Sequence, residues 1–208
     1  FMEGGAESGE TPAAAAGPDD GRVIPDEPLP LDGLKAADAV VALKLGVLKV
    51  GGPEVKNIDL ALALKNGDLK ITTLKADGYG GSIDATLDLL TSGGTPSLKT
   101  SGGFRDIDLG GVLADEGITD LLVGTLDGRW TLSGQGASPR AIAASLDGET
   151  RLELVDGSVQ SGFVDFIAAD VVSQAGKVFA GKDQTPLNCF YNQFKIKDGV
   201  ANAHVLLF

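Results

Sequence analysis

Apolar and polar residues alternate along residues 57–89, and this alternation predicts three antiparallel strands. A period of two residues is typical of a strand with one face buried and the other in water. The pattern runs from Leu60 to Leu64, slips by one residue near Thr73, and resumes at Ile83. The three predicted strands therefore share one apolar face, and whatever covers that face decides what the chain does.

Residue pairs that contain glycine mark the corners between these strands. Asn66-Gly67 follows the first strand directly and supplies the positive φ angles that a tight hairpin turn requires. Asp77-Gly78 and Gly80-Gly81 predict a second turn before the third strand. The three strands are therefore expected to form an antiparallel meander.

The same pattern predicts further strands on both sides of this block. A long first strand at residues 37–50 is expected to carry a bulge near Gly46, and an Asp156-Gly157 turn is expected after a later strand. The other predicted strands cover residues 98–107, 125–134, 149–155, 187–197 and 200–207, the last two joined by a hairpin about Asp198-Gly199.

The sequence predicts several short helices and one longer helix. Residues 109–122 predict two helical turns broken at Gly117, and Ser138-Pro139 is a good N-terminal signal for a short helix through Leu146. The stretch from Phe163 to Phe179 has apolar residues at helical spacing. This helix is expected to pack on the sheet, and contact with a lipid or a membrane surface is the functional alternative.

Residues 1–28 are rich in Gly, Ala, Pro and acidic residues without any apolar period, which predicts a disordered linker. Residues 29–208 then form one domain. The fold class predicted is mainly β with minor α: a long twisted antiparallel sheet with a few short helices. No stretch of the chain approaches the roughly 20 apolar residues of a membrane-spanning helix, and the opening Phe-Met suggests a fragment of a larger protein.

Composition excludes several classes of function. The net charge of −12 and a pI near 4.4 leave no basic footprint for nucleic acid. One cysteine and one histidine in 208 residues argue against a disulfide, a metal centre and most acid–base chemistry. We therefore expect no metal, no cofactor and no catalytic residues.

Individual polar residues also have ordinary structural interpretations. Asp59, Asp84 and Asp88 belong to the solvated side of the alternation. Cys189 is expected to be a small buried side chain, and His204 a surface or edge residue. Residues 78–81 lack the lysine and the following helix of a phosphate-binding loop, so we interpret them as a glycine corner in which Tyr79 packs against a neighbour.

Several different short motifs follow one another along about 180 residues of the chain. They include Leu29-Pro30-Leu31-Asp32-Gly33, Leu64-Lys65-Asn66-Gly67-Asp68, Tyr79-Gly80-Gly81, Asp106-Ile107-Asp108-Leu109-Gly110, Gly134-Gln135-Gly136-Ala137-Ser138 and Thr185-Pro186-Leu187-Asn188-Cys189. In this order they resemble the C-terminal domain of the AsmA family of bacterial envelope proteins. The family's N-terminal transmembrane helix and first β-rich region have no counterpart in these 208 residues.

The resemblance implies a periplasmic body anchored to the inner membrane by a segment outside this chain. It also implies a role in phospholipid transport and outer-membrane homeostasis, with a half-open β-groove that shields acyl chains. The residues predicted to line that groove are Leu60, Leu62, Leu64, Ile71, Ile83, Leu87 and Leu89. The groove is predicted to extend over Val41, Leu43, Leu45, Leu126, Trp130 and Leu132.

Two other functions stay open on the sequence. In the first, the chain is a scaffold for outer-membrane protein assembly, and the helix at residues 163–179 covers the apolar face completely. The second is a glycan hydrolase with paired carboxylates, for which the sequence offers no reason to choose a pair. We therefore expect a lipid-binding protein that is not an enzyme.

Overall fold

The computed structural model describes residues 24–49, 53–118, 121–160 and 184–207. The predicted helix at residues 163–179 and most of the predicted linker lie outside these ranges. Within them, nine strands form one open antiparallel sheet whose order in space follows their order in the chain. The predicted fold class, mainly β with short helices, is confirmed.

The strands are bounded as follows: β1 Ala39–Lys49, β2 Glu54–Lys65, β3 Asp68–Gly78, β4 Gly81–Leu90, β5 Ser97–Asp108, β6 Leu122–Gln135, β7 Asp147–Gln160, β8 Gln184–Lys197 and β9 Val200–Leu207. The helices are a 3-10 helix at Leu31–Lys35, α1 at Leu109–Asp115 and α2 at Pro139–Ala144. Strands β1 and β9 lie at the two edges of the sheet.

Two-residue turns close three of the hairpins. Asn66 and Gly67 join β2 to β3 with φ angles of 52° and 86°, and Asp198 and Gly199 join β8 to β9 with 50° and 72°. Both predicted turns are confirmed. Paired positive φ angles are favoured in two-residue turns because they match the twist of the strands that the turn connects. Between β3 and β4, Tyr79 itself takes a positive φ of 50° ahead of Gly80.

Irregular pairing occurs where the alternation of β3 slips. The register between β3 and β4 shifts between Ile71 and Leu74, which confirms the slip predicted near Thr73. The bulge predicted near Gly46 is wrong, because β1 pairs with β2 in one register from Ala39 to Lys49. The shift to Leu48 in the sequence therefore occurs near the end of β1 without a change of register.

The turn predicted at Asp156-Gly157 is also wrong. Asp156 has a positive φ of 51°, but β7 continues through it to Gln160 and pairs with β8 on both sides. The register between β6 and β7 shifts at the same level, between Val123 and Thr125. Asp156, the one residue of this pair with a positive φ, thus forms a bulge with Gly157, because neighbouring strands hold the chain extended on both sides.

The short helices begin as the sequence predicts. The Ser138 hydroxyl accepts a hydrogen bond from the Ala141 amide at the start of α2. Ser138 also donates to Asp26, and the Leu29 amide donates to the Ala137 carbonyl over 2.8 Å. The segment that precedes β1 is therefore fastened to α2.

Candidate functional site

The strand register builds one apolar face across all nine strands. Cross-strand partners in an antiparallel sheet lie on the same face, so the register shows which side chains share it. One row of partners contains Val41, Leu62, Ile71, Leu87, Thr100, Leu132, Gly148, Ile196 and Ala201. The next row contains Leu43, Leu60, Leu74, Ala85, Gly102, Trp130, Thr150, Phe194 and Ala203. We call this surface the apolar face.

The structure brings the predicted groove residues together. All seven lie on the apolar face, as do the six residues predicted to extend it. Ile83 is 37% exposed, Val41 and Leu43 are each 39% exposed, and Leu62 and Leu87 are half-buried. Among the described apolar side chains, only Leu154 and Val159 are buried. Within the described structure, all thirteen of these side chains therefore keep some contact with solvent, and three of them are exposed.

Aromatic rings fill two glycine sites in the middle of the apolar face. The Trp130 ring lies over Gly102, and the Phe104 ring lies over Gly128, in positions that a Cβ atom on either glycine would enter. The ring centroids are 6.4 Å apart, and the Trp130 Nε1 donates to Thr100 Oγ1 over 3.0 Å. Sequence alternation finds Trp130 on this face, but the glycine opposite each ring follows only from the strand register.

Helix α2 covers one margin of the apolar face. A Cβ atom at Gly134, which is paired with Leu98 on that face, would lie 3.0 Å from the Ile142 carbonyl and 3.3 Å from Ile142 Cγ2. α2 therefore packs where β6 ends, away from Leu62 and Leu87. The helix predicted to cover those two residues lies outside the described residues, so that hypothesis stays a prediction.

One polar side chain is buried on the apolar face. Asn192 is only 3% exposed and is paired with Leu152 across β7 and β8. Its Oδ1 has no hydrogen-bond partner in the part of the chain that the structure describes. A buried carbonyl oxygen without a donor costs stability, and the alternation pattern gave no sign of it.

The opposite face carries the charged residues, and we call it the polar face. Asp59 pairs with Lys44 over 2.6 Å and Asp88 with Lys70 over 3.5 Å, so the solvated side predicted for these aspartates is confirmed. Cys189 is exposed, and the burial predicted for it is wrong. Its neighbour Phe190 is the partner of Leu154 on the apolar face, so alternation turns Cys189 to the polar face.

A depression of about 730 Å³ lies at the centre of the polar face. Strands β3 to β7 line it, and four of the lining side chains are cationic. These four cations are Lys75, Arg105, Arg129 and Arg151. The sequence pattern marks this side only as solvated, because the register that brings the cations together is not visible in the alternation.

Carboxylates at the strand ends hold the connections in place. Asp147 accepts a hydrogen bond from Lys197 Nζ over 2.7 Å and a second one from the Asp198 amide over 2.8 Å. These two bonds lower the pKa of the Asp147 carboxyl. Tyr79 donates to Asp115 over 2.8 Å, which raises the pKa of the Tyr79 hydroxyl. Tyr79 thus contacts the end of α1, as expected of a packed corner residue.

Two further findings concern the described part of the chain. No helix in this part combines the length and the apolar character needed to cross a membrane. His204 is exposed on β9 at the edge of the sheet, which confirms its predicted position.

Comparison with known proteins gives a consistent family match. A model of the AsmA family matches residues 11–206. The chain is 25% identical over 189 residues to AsmA family protein YhjG of Escherichia coli (strain K12). That alignment covers 90% of this chain and 28% of the relative, so the chain spans less than a third of the relative's length. No solved structure shows significant similarity to the chain.

Proposed function

This chain belongs to the AsmA family, and from that premise we propose that it is a non-enzymatic segment of a cell-envelope protein that shields phospholipid acyl chains between membranes. The observation that carries the proposal is the apolar face, which continues across nine strands and stays partly exposed to solvent in the described structure. We place the body of the protein in the periplasm, with an inner-membrane anchor supplied by another part of the whole protein.

The dimensions of the apolar face suit an acyl chain. Nine strands spaced about 4.8 Å apart span roughly 38 Å, whereas one leaflet of a bilayer's hydrocarbon core is about 15 Å thick. A lipid tail could therefore lie across several strands, and two could follow one another. Each methylene that leaves water contributes about 0.8 kcal/mol, so ten of them would supply about 8 kcal/mol without any specific polar contact.

Site-specific photocrosslinking in the full-length protein in cells tests the proposal. A photoreactive residue at position 62 or 87 should capture phospholipid. The controls are positions 61 and 63, because Ala61 and Ala63 flank Leu62 on the same strand but lie on the polar face. Capture of lipid at positions 62 and 87 above the control positions supports the proposal, and equal capture or none contradicts it.

One observation favours the alternative of an assembly scaffold. Helix α2 already packs on one margin of the apolar face, at Gly134. A second helix that lay across Leu62 in the same manner would leave no room for a lipid tail. If the chain is an assembly scaffold, a crosslinker at position 62 should therefore capture a segment of the protein itself instead of a lipid.

A further inference from the structure

The three arginines of the polar-face depression have no partners among the described residues. Arg105, Arg129 and Arg151 are three of the chain's five arginines. None of their guanidinium groups makes a hydrogen bond or an ion pair with a described residue, although lysines on the same face do. Because arginine readily pairs with carboxylates through two hydrogen bonds, three unpaired arginines in so acidic a chain require an explanation.

The register sets two of these arginines against each other. Arg129 on β6 and Arg151 on β7 are direct cross-strand partners. Residues in this relation have Cβ atoms about 5 Å apart, and like charges there are destabilising. Asp127 and Glu153 are the next residues along the same face of the two strands and are themselves cross-strand partners, yet neither pairs with an arginine. An anion between the two guanidinium groups would turn this repulsion into attraction.

A glycine lies beside the pair. Gly103 on β5 is the cross-strand partner of Arg129 on β6 and of Asp84 on β4. The position of a Cβ atom on Gly103 would lie 2.8 Å from the Gly128 carbonyl and 3.3 Å from Arg129 Cγ. The stem of Arg129 therefore rests against the backbone at Gly103, and no side chain from β5 stands between Arg129 and Asp84 in this row.

The remaining lining groups are hydrogen-bonding groups of both kinds. Two carboxylates, Asp84 and Glu149, face four cations across the depression. The lining residues that carry a hydroxyl group include Thr72, Thr73, Thr86, Ser101 and Thr131. With a volume of about 730 Å³, the depression can hold a molecule much larger than a single anion.

We propose that the depression binds a polar molecule that carries a phosphate group together with hydroxyl or amine groups. Arg129 and Arg151 hold the phosphate oxygens, with Arg105 and Lys75 supplying further positive charge. Asp84 and Glu149 accept hydrogen bonds from the hydroxyl or amine groups. This site lies on the opposite side of the sheet from the apolar face, so it goes beyond the lipid-shielding function and does not depend on it.

Binding of glycerol 3-phosphate to the 208-residue chain, measured by calorimetry and by the Nε–Hε NMR signals of the arginines, tests this site. The variant R129Q/R151Q should bind at least about tenfold more weakly, because each charge-assisted hydrogen bond is worth about a factor of ten. The matched control is K65Q/K195Q, which removes two exposed cations outside the depression and should bind as the unmodified chain does.

A second experiment separates a free phosphate compound from a lipid headgroup. If vesicles of phosphatidylglycerol bind the chain and the control but not R129Q/R151Q, while glycerol 3-phosphate does not bind, the phosphate belongs to a lipid. Binding of glycerol 3-phosphate that R129Q/R151Q loses shows a soluble ligand. If neither ligand distinguishes R129Q/R151Q from the control in folded protein, the proposed site is wrong.

Discussion

Truncation of Leu62 and of Leu154 to alanine compares two positions on the same face of the sheet. Leu154 is 3% exposed, whereas Leu62 is half-buried and belongs to the accessible part of the apolar face. The chemical change is identical, and both residues lie within central parts of their strands. The difference in unfolding free energy between L154A and L62A therefore reports how completely Leu62 is covered.

The expected magnitudes follow from burial. Truncating a buried leucine to alanine costs about 2–5 kcal/mol, because transfer from water and a residual cavity both contribute. Leu62 stays partly exposed, so its truncation leaves a site open to solvent and adds no closed cavity to the transfer cost. L62A should therefore cost about 1–2 kcal/mol, and L154A about twice as much.

Urea unfolding measures both costs, with far-UV circular dichroism and the fluorescence of Trp130, the chain's one tryptophan, as probes. The slope of free energy against urea must agree between variants for the comparison to hold. A loss at Leu62 as large as at Leu154 would refute an accessible apolar face. It would mean that another part of the protein, such as residues 163–179, covers Leu62.

Two further predictions concern single polar groups. Replacing Asn192 with leucine should raise the free energy of unfolding by about 1 kcal/mol or more, since the buried Oδ1 has no donor; a lower urea midpoint would show that the Asn192 amide makes a necessary bond. The lowered pKa of Asp147 means that its carboxylate stabilises the fold above its ordinary pKa of 3.8 and loses this effect as the pH falls through the lower, folded-state value. D147N should therefore be less stable than the parent chain at pH 6, and the difference should shrink towards pH 2; a constant difference would contradict the assignment.

Local patterns in the sequence predict the strands and their hairpins well. Asn66-Gly67 and Asp198-Gly199 are correctly predicted as turns because two-residue turns with positive φ favour these residues. Asp156-Gly157 has the same local chemistry, yet it lies within β7. The difference arises from the pairing of β7 with β6 and β8, which no short window of sequence contains.

The face of the sheet on which a residue lies is easier to predict from sequence than its cross-strand partner. Alternation correctly assigns Leu62 and Leu87 to one face, because side chains in strands have a period of two. The meeting of Arg129 with Arg151 depends instead on the register between two strands whose turn contains a helix. The apolar face could therefore be predicted, and the basic depression could not.

An accessible apolar face and a stable sheet are compatible in this fold. The strands pair through their backbones from edge to edge, and the aromatic rings at Trp130 and Phe104 pack onto glycines of neighbouring strands. These interactions stay within the sheet and need no second layer. The two surfaces of the sheet are separate, so the proposed lipid tails on one side and the proposed phosphate compound on the other would not compete for the same face.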